Sequence, residues 1–282
     1  MHPDSRHAAR HYENFPVASW LCPARLRPPI SAIYAFARTA DDIADEGDAL
    51  GRERLEDLAA LRADLTTASL GGTGSGRWPH VFGPLAAMIS EFKLPVRLLS
   101  DLLDAFEQDI VKTRDGAGYD THAELLDYCR RSANPVGRLV LHLYRITDET
   151  AQQMSDNICT ALQLANFWQD LGLDIARGRF YLPLQECLAW GVSPDDLKAL
   201  RQTQNTTKLI ANYVYRTREI MKNGSHLVKT VPGRAGWELR LVVQGGLRIL
   251  DKIEALDYAT LTARPKISLW DAPVMLVRAA AM

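Results

Sequence analysis

Ala161-Leu162-Gln163-Leu164-Ala165-Asn166-Phe167-Trp168-Gln169-Asp170-Leu171-Gly172-Leu173-Asp174 is an apolar run that ends in two acids spaced Asp-x-x-x-Asp. Its apolar residues recur at three- and four-residue spacing, the signature of a helix with a buried face. Four residues on a helix turn through about 400°, so Asp170 and Asp174 share one face, about 6 Å apart along the axis. The run belongs to a longer stripe over 149–176, and similar stripes cover 96–112, 121–147, 206–229 and 235–260. Nearer the N-terminus, Ile30, Ile33, Tyr34, Ala37 and Ala40 repeat the spacing, as do Leu55, Leu58, Leu61 and Leu65. No alternating strand pattern stands between turn signals. The expected architecture is therefore all-α, a single domain over 1–282. Breaks are expected at 23–29, at the glycine-rich loop 66–79, at 177–194 and at Pro232-Gly233.

Composition narrows the function. Lys and Arg number 33 against 34 Asp and Glu, a net charge of −1, and 47% of residues are hydrophobic. A nucleic-acid protein needs an excess of clustered cations, so no nucleic-acid partner is expected. Cys22, Cys129, Cys159 and Cys187 lack the Cys-x-x-Cys spacing of a zinc site and read as reduced, packed thiols. The first ten residues hold no apolar stretch of a secretory signal, and no run is long enough to span a bilayer. A cytoplasmic location is expected.

The acidic pattern occurs twice. Asp41-Asp42-Ile43-Ala44-Asp45 repeats the Asp-x-x-x-Asp spacing, again at the end of a helical stretch, after Ala35, Phe36, Ala37 and Ala40. Unit charges about 6 Å apart repel by roughly 3 kcal/mol at an effective dielectric of 20. A divalent cation removes that cost, and oxygen-only ligands favour Mg²⁺ over Zn²⁺. Mn²⁺ is the alternative ion. The plainer reading is solvated helix ends with local ion pairs, Arg38 with Asp41 or Asp174 with Arg177. Two copies, each following helix built for burial, favour the metal reading.

On these residues the chain resembles the squalene/phytoene synthase family. Tyr34-Ala35-Phe36-Ala37-Arg38-Thr39-Ala40-Asp41-Asp42-Ile43-Ala44-Asp45 is similar to its first signature. The run Ala161 to Asp170, with Gly178-Arg179-Phe180-Tyr181-Leu182-Pro183, is similar to its second. Between them, Tyr128-Cys129-Arg130-Arg131-Ser132-Ala133-Asn134-Pro135-Val136-Gly137 resembles the family's tyrosine-to-Val-Gly helix. The resemblance runs from about His11 to Lys266. It implies an isoprenoid-synthase helical bundle around a central apolar cavity, with Asp41, Asp42, Asp45, Asp170 and Asp174 holding Mg²⁺ at its mouth. Arg38 suits a diphosphate oxygen by its forked geometry. Asn166 can complete a metal or diphosphate shell, and Gln163 lies on the same helix face; a helix–helix hydrogen bond is the alternative. Tyr34 and Tyr128 can line the cavity and steady a carbocation, or serve as ordinary core tyrosines. The resemblance also makes Arg179, Tyr181 and Arg264 substrate-binding, with His11 and Phe15 at the matching N-terminal stretch. Arg177 and Lys266 read as solvated ends.

Departures from the family pattern select a branch. Glu13 stands where the condensing members carry a cation, and Gln169 where an Arg commonly precedes the second motif. Fewer cations suggest fewer diphosphates. Glu13-Asn14-Phe15-Pro16-Val17-Ala18-Ser19, Asp41 to Asp48 and the run Ser132 to Gly137 most resemble the hydroxysqualene-forming branch of hopanoid biosynthesis. That resemblance implies ionisation of presqualene diphosphate, rearrangement and capture by water, with no nicotinamide. The alternatives are a condensing prenyltransferase acting on two prenyl diphosphates and a non-catalytic scaffold relative, which intact acidic motifs disfavour. A terpene cyclase would need an Asn/Asp-x-x-Ser/Thr-x-x-x-Glu motif that is not found. A C30 hydrocarbon product implies transient contact with the inner face of the membrane, although no single basic amphipathic helix stands out. A desaturase or reductase is the expected downstream partner.

Overall fold

The computed structural model describes residues 22–72 and 74–282. Among these the regular elements are helices, without a strand. They are α1 Arg27–Asp45, α2 Gly51–Ser69, α3 Pro79–Phe92, α4 Val96–Asp115, α5 His122–Ser132 and α6 Asn134–Leu143. The chain continues through α7 Glu149–Ala176, α8 Leu184–Ala189, α9 Pro194–Lys198, α10 Gln204–Ser225, α11 Gly233–Ala255 and α12 Ala272–Ala280. The all-α expectation holds.

Local chemistry sets the boundaries. Asp148 caps α7 by accepting from the Ala151 N–H at 2.7 Å, which satisfies one orphan donor of the first turn. The helix then runs 28 residues, through both Gln163 and Asp174. Gly178, at φ +78°, reverses the chain just beyond it. The stripe over 121–147 is split into α5 and α6 at Ala133, because Pro135 can open a helix but cannot continue one. The glycine-rich break is shorter than expected, since α2 persists to Ser69. Its far side is pinned as well: Asp64 accepts from both the N–H and the hydroxyl of Ser75, at 2.6 and 2.8 Å. The break at 177–194 holds α8, and α12 lies beyond the last stripe read from the sequence.

Packing follows from these stripes. Ile30, Ile33, Phe36 and Ala40 of α1 are buried against α3 and α4 with Leu58, Phe82 and Leu99. Tyr34 and Ala37 lie a third of a turn away and face a cavity instead. Trp168 of α7 is fully buried beside Tyr213 of α10, and its indole N–H donates to Thr217 at 2.8 Å. An aromatic side chain of this size, packed and hydrogen-bonded, fixes the register of α7 on α10.

Two close approaches position the site. A Cβ at Gly137 would lie 2.4 Å from Ser155 Oγ, so the Val-Gly pair lets α6 press onto α7. A Cβ at Gly172 would meet Leu261 O at 2.3 Å. Here the segment after α11 crosses α7 between Asp170 and Asp174, and Gly172 N–H donates to Thr260 O at 3.2 Å.

Candidate active site

Tyr34, Arg38, Asp41 and Asp45 fall along one side of α1 at helical spacing, and Gln163, Asn166, Asp170 and Asp174 do the same on α7. The apolar ends of both stripes line a cavity of about 340 Å³, with Tyr34, Ala37, Val136, Gly137, Gln163 and Asn166 in its wall. Among the described residues, Glu238 is the one charged residue in that wall. A second, polar pocket of about 620 Å³ is walled by Arg38, Asp41, Asp45, Asp109, Arg177 and Arg179, with further cations from Arg54 and Arg114.

The acids of the two motifs are held by arginines. Arg38 reaches Asp41 at 3.0 Å and Asp42 and Glu46 at 2.5 Å. Arg179 spans to the first motif and grips the Asp45 carboxylate with both terminal nitrogens. Arg264, brought across by the approach at Gly172, binds Asp170 in the same forked manner, at 2.5 and 3.0 Å. Burial works against the charge on Arg179, but Asp45 outweighs it and holds the guanidinium above its ordinary range. Asp174 stands differently. Loss of water and then the neighbouring Asp170 raise its carboxyl to about 7, with Asp45 adding to the push.

One acid in this group escaped the motif reading. Asp109 of α4 accepts from the Tyr128 hydroxyl at 2.5 Å and lines the polar pocket. Enclosure raises it to about 7 against the hydrogen bond from Tyr128 and the charge of Arg179, while Asp45 and Asp174 push it further up. Tyr128 is itself raised, by burial and then by Asp109. Around the pair, Tyr181 stacks on Phe167 with centroids 3.7 Å apart, and Tyr128 is 6.0 Å from Phe167. The sequence did carry a signal for Asp109. It follows Leu102 and Ala105, both buried, on the inward stripe of α4, where an acid is costly unless used.

The fold divides the expected residues between these features. Arg38, Asp41, Asp45 and Arg179 meet in the polar pocket, Tyr34, Gln163 and Asn166 line the apolar cavity, and Arg264 joins the second motif. Asp170 and Asp174 border neither pocket wall, although Asp174 senses Asp45 electrostatically. Tyr128 and Tyr181 belong to the buried aromatic cluster. Asp42 pairs with Arg38 and stands outside the polar pocket wall. Arg177 is exposed at the end of α7, as expected, and also lines that wall. Gln169 is buried and donates to Pro265 O at 2.7 Å, so it anchors the crossing segment instead of facing the pocket. Lys266 is exposed, as expected. His11, Glu13 and Phe15 lie outside the described residues.

Among the described residues no three His, Cys, Asp or Glu side chains converge closely enough to hold a metal ion. The donor chemistry nevertheless fits a hard cation. Asp41, Asp45, Asp170, Asp174 and Asn166 offer only oxygen acceptors to a metal, and the raised Asp174 carboxyl records negative charge that still wants compensation. Arginines compensate Asp41, Asp45 and Asp170 in this arrangement, while Asp174 has no such ion pair among the described residues.

The squalene/phytoene synthase family pattern matches residues 8–271. A hydroxysqualene synthase of Rhodopseudomonas palustris is 36% identical over 247 residues, covering 87% of this chain and 80% of the relative. A phytoene synthase of Thermus thermophilus is 31% identical, covering 99% and 93%. The crystal structure of squalene synthase HpnC from Alicyclobacillus acidocaldarius superimposes with a TM-score of 0.79 at 38% identity, covering 88% of this chain and 90% of that one. The chain thus belongs to the squalene/phytoene synthase family, isoprenoid synthases that act on prenyl diphosphates.

Proposed function

We propose that the protein, acting as one domain, converts presqualene diphosphate to hydroxysqualene and diphosphate. The observation that carries this reading is the pairing of an apolar cavity with two acidic motifs joined by Arg179 and Asp45. The branch is taken from the likeness to hydroxysqualene synthases. Asp41, Asp45, Asp170 and Asp174, with Asn166, would hold Mg²⁺, or Mn²⁺ in its place. When bound, the metal neutralises the diphosphate and stabilises it as it leaves.

The chain's own groups account for the rest. Arg38, Arg179 and Arg264 carry fixed forked charges suited to phosphate oxygens, which would receive them once the carboxylates have another counter-charge. Tyr34 lies at the cavity wall, where its ring face would attract a carbocation without trapping it covalently, and Tyr128, Tyr181 and Phe167 form a buried aromatic cluster. The carbon–oxygen bond to diphosphate breaks, the cation rearranges, water adds its oxygen, and one proton is lost. No electrons are exchanged, so no nicotinamide is required. We further expect a cytoplasmic protein meeting the inner face of the membrane, with a desaturase or reductase consuming the product.

A second reading has a specific observation in its favour. Arg54, Arg114 and Arg177 line the polar pocket beyond the cations counted in the motifs, and they would suit a second diphosphate in a condensing enzyme. Purified protein with Mg²⁺ separates the two. Hydroxysqualene from presqualene diphosphate without reductant supports the first, and rapid presqualene diphosphate formation from farnesyl diphosphate alone supports the second.

A further inference from the structure

Among the described residues, the C-terminal elements hold several large apolar side chains outward. Leu269 and Trp270, in a short 3₁₀ turn before α12, are 92% and 89% exposed. Leu276 and Val277 continue this surface along α12, and Trp237 is exposed on α11. This is no frayed end. Asp271, buried directly after Trp270, accepts from Arg248 at 2.7 Å, Lys252 at 2.9 Å and the Ser268 N–H at 2.6 Å, which ties the turn to α11. Arg278 binds Asp251 at 2.6 Å, and Arg240 reaches Ala279 O at 3.2 Å. Large apolar side chains held outward by a rigid frame mark an interaction surface.

We propose that this surface seats the protein on an anionic lipid bilayer. Three observations select that occupant. First, charge: Lys229, Arg234, Arg240 and Lys266 flank the apolar residues in sequence and have no carboxylate partner among the described residues. In a chain of net charge −1 the excess is local, and it complements anionic headgroups. A second copy docking through the same face would set these cations against their own images. Second, chemistry: exposed Trp beside aliphatic and cationic side chains is the composition of an element lying in the headgroup boundary. Arg240 lies 5.4 Å from the Trp237 ring, joining the two parts of the surface. Third, position: Ala235, Leu239 and Val242 of α11 line the apolar cavity, so the helix that carries Trp237 and supports α12 also walls that cavity. Resting on the proposed function, this brings the site where an uncharged C30 product forms to within a helix diameter, about 10 Å, of the lipid.

The test uses the full chain and vesicles, without substrate. Wild-type protein should co-sediment with phosphatidylglycerol-rich vesicles, more weakly with phosphatidylcholine alone, and less at high salt. The double variant Leu269→Ser/Trp270→Ser should bind phosphatidylglycerol vesicles at least about tenfold more weakly, because most of the inserted apolar area is gone. Both side chains are almost fully exposed, so its unfolding midpoint and its turnover in detergent micelles should match wild type. Equal vesicle binding by the variant, or none by wild type, overturns the proposal. So does a dimer in sedimentation velocity that the double variant abolishes, which would make a second copy the occupant. Failure of hydroxysqualene formation alongside intact vesicle binding would instead count against the proposed function alone.

Discussion

Arg179 and Asp45 clasp each other across the two acidic motifs, with both terminal guanidinium nitrogens on one carboxylate. The contact joins the segment just after α7 to the end of α1, residues far apart in sequence. It gives the pocket a bridge that the motifs alone would lack. If Arg179 serves the diphosphate when substrate is bound, Arg179→Ala should lower kcat by about 100-fold or more, the scale of losing one preorganised charge at a developing anion. Arg179→Lys should recover little, because an ammonium cannot reproduce the fork. Steady-state kinetics with far-UV circular dichroism check both points.

Gly172 is predicted to be intolerant of even one methyl group. Its Cβ would sit 2.3 Å from a backbone oxygen, which cannot rotate away. Gly172→Ala should displace the crossing segment, loosen Arg264 from Asp170 and cost about 1–3 kcal/mol in urea unfolding, the usual range for overpacking. Activity should fall more than stability explains, since the displaced arginine belongs to the site.

Asp109 sets a pH dependence whose sign is definite. Its folded carboxyl is raised to about 7 from an ordinary 3.8, so the folded state binds this proton more tightly than the unfolded one. Its contribution is fully present below about pH 4 and is lost as pH rises through about 7. A tenfold difference in proton affinity is worth ~1.4 kcal/mol, which bounds the effect at a few kcal/mol. Metal-free wild type should therefore show falling stability across this window, and Asp109→Asn should flatten the slope. Calorimetry at a series of pH values measures it.

Asp174 should compete for a proton and a divalent cation. Raised to about 7, it holds a proton near neutrality that a metal would displace. Mg²⁺ should raise the melting temperature more at pH 8 than at pH 6, and chelation should reverse the gain. Asp174→Asn should abolish most of the Mg²⁺ effect while leaving the metal-free protein as stable or more so. Differential scanning fluorimetry gives the readout.

The helices and both acidic motifs were legible because local periodicity and spacing encode them directly. Asp41, Asp45, Asp170 and Asp174 could be placed on two faces from the 3.6-residue repeat alone. Relations between distant segments were not legible in this way. Nothing local to Arg264 or Asp170 announces their forked ion pair, which depends on the absence of a side chain at Gly172. Gln169 was legible only as a missing cation, and nothing local to it announces that packing turns it to Pro265. Asp109 has no repeated pattern, only its place on a buried stripe. The membrane surface was invisible because Leu269, Trp270 and Val277 look like core residues until the fold leaves them outside.

The most direct test of the central claim is product analysis with purified protein, presqualene diphosphate and Mg²⁺ in heavy-oxygen water, without reductant. The expected product is hydroxysqualene bearing the solvent oxygen, released with one diphosphate per turnover and lost in Asp45→Ala and Asp174→Ala. An absence of turnover, squalene formed only when a reductant is added, or presqualene diphosphate made readily from farnesyl diphosphate would contradict it.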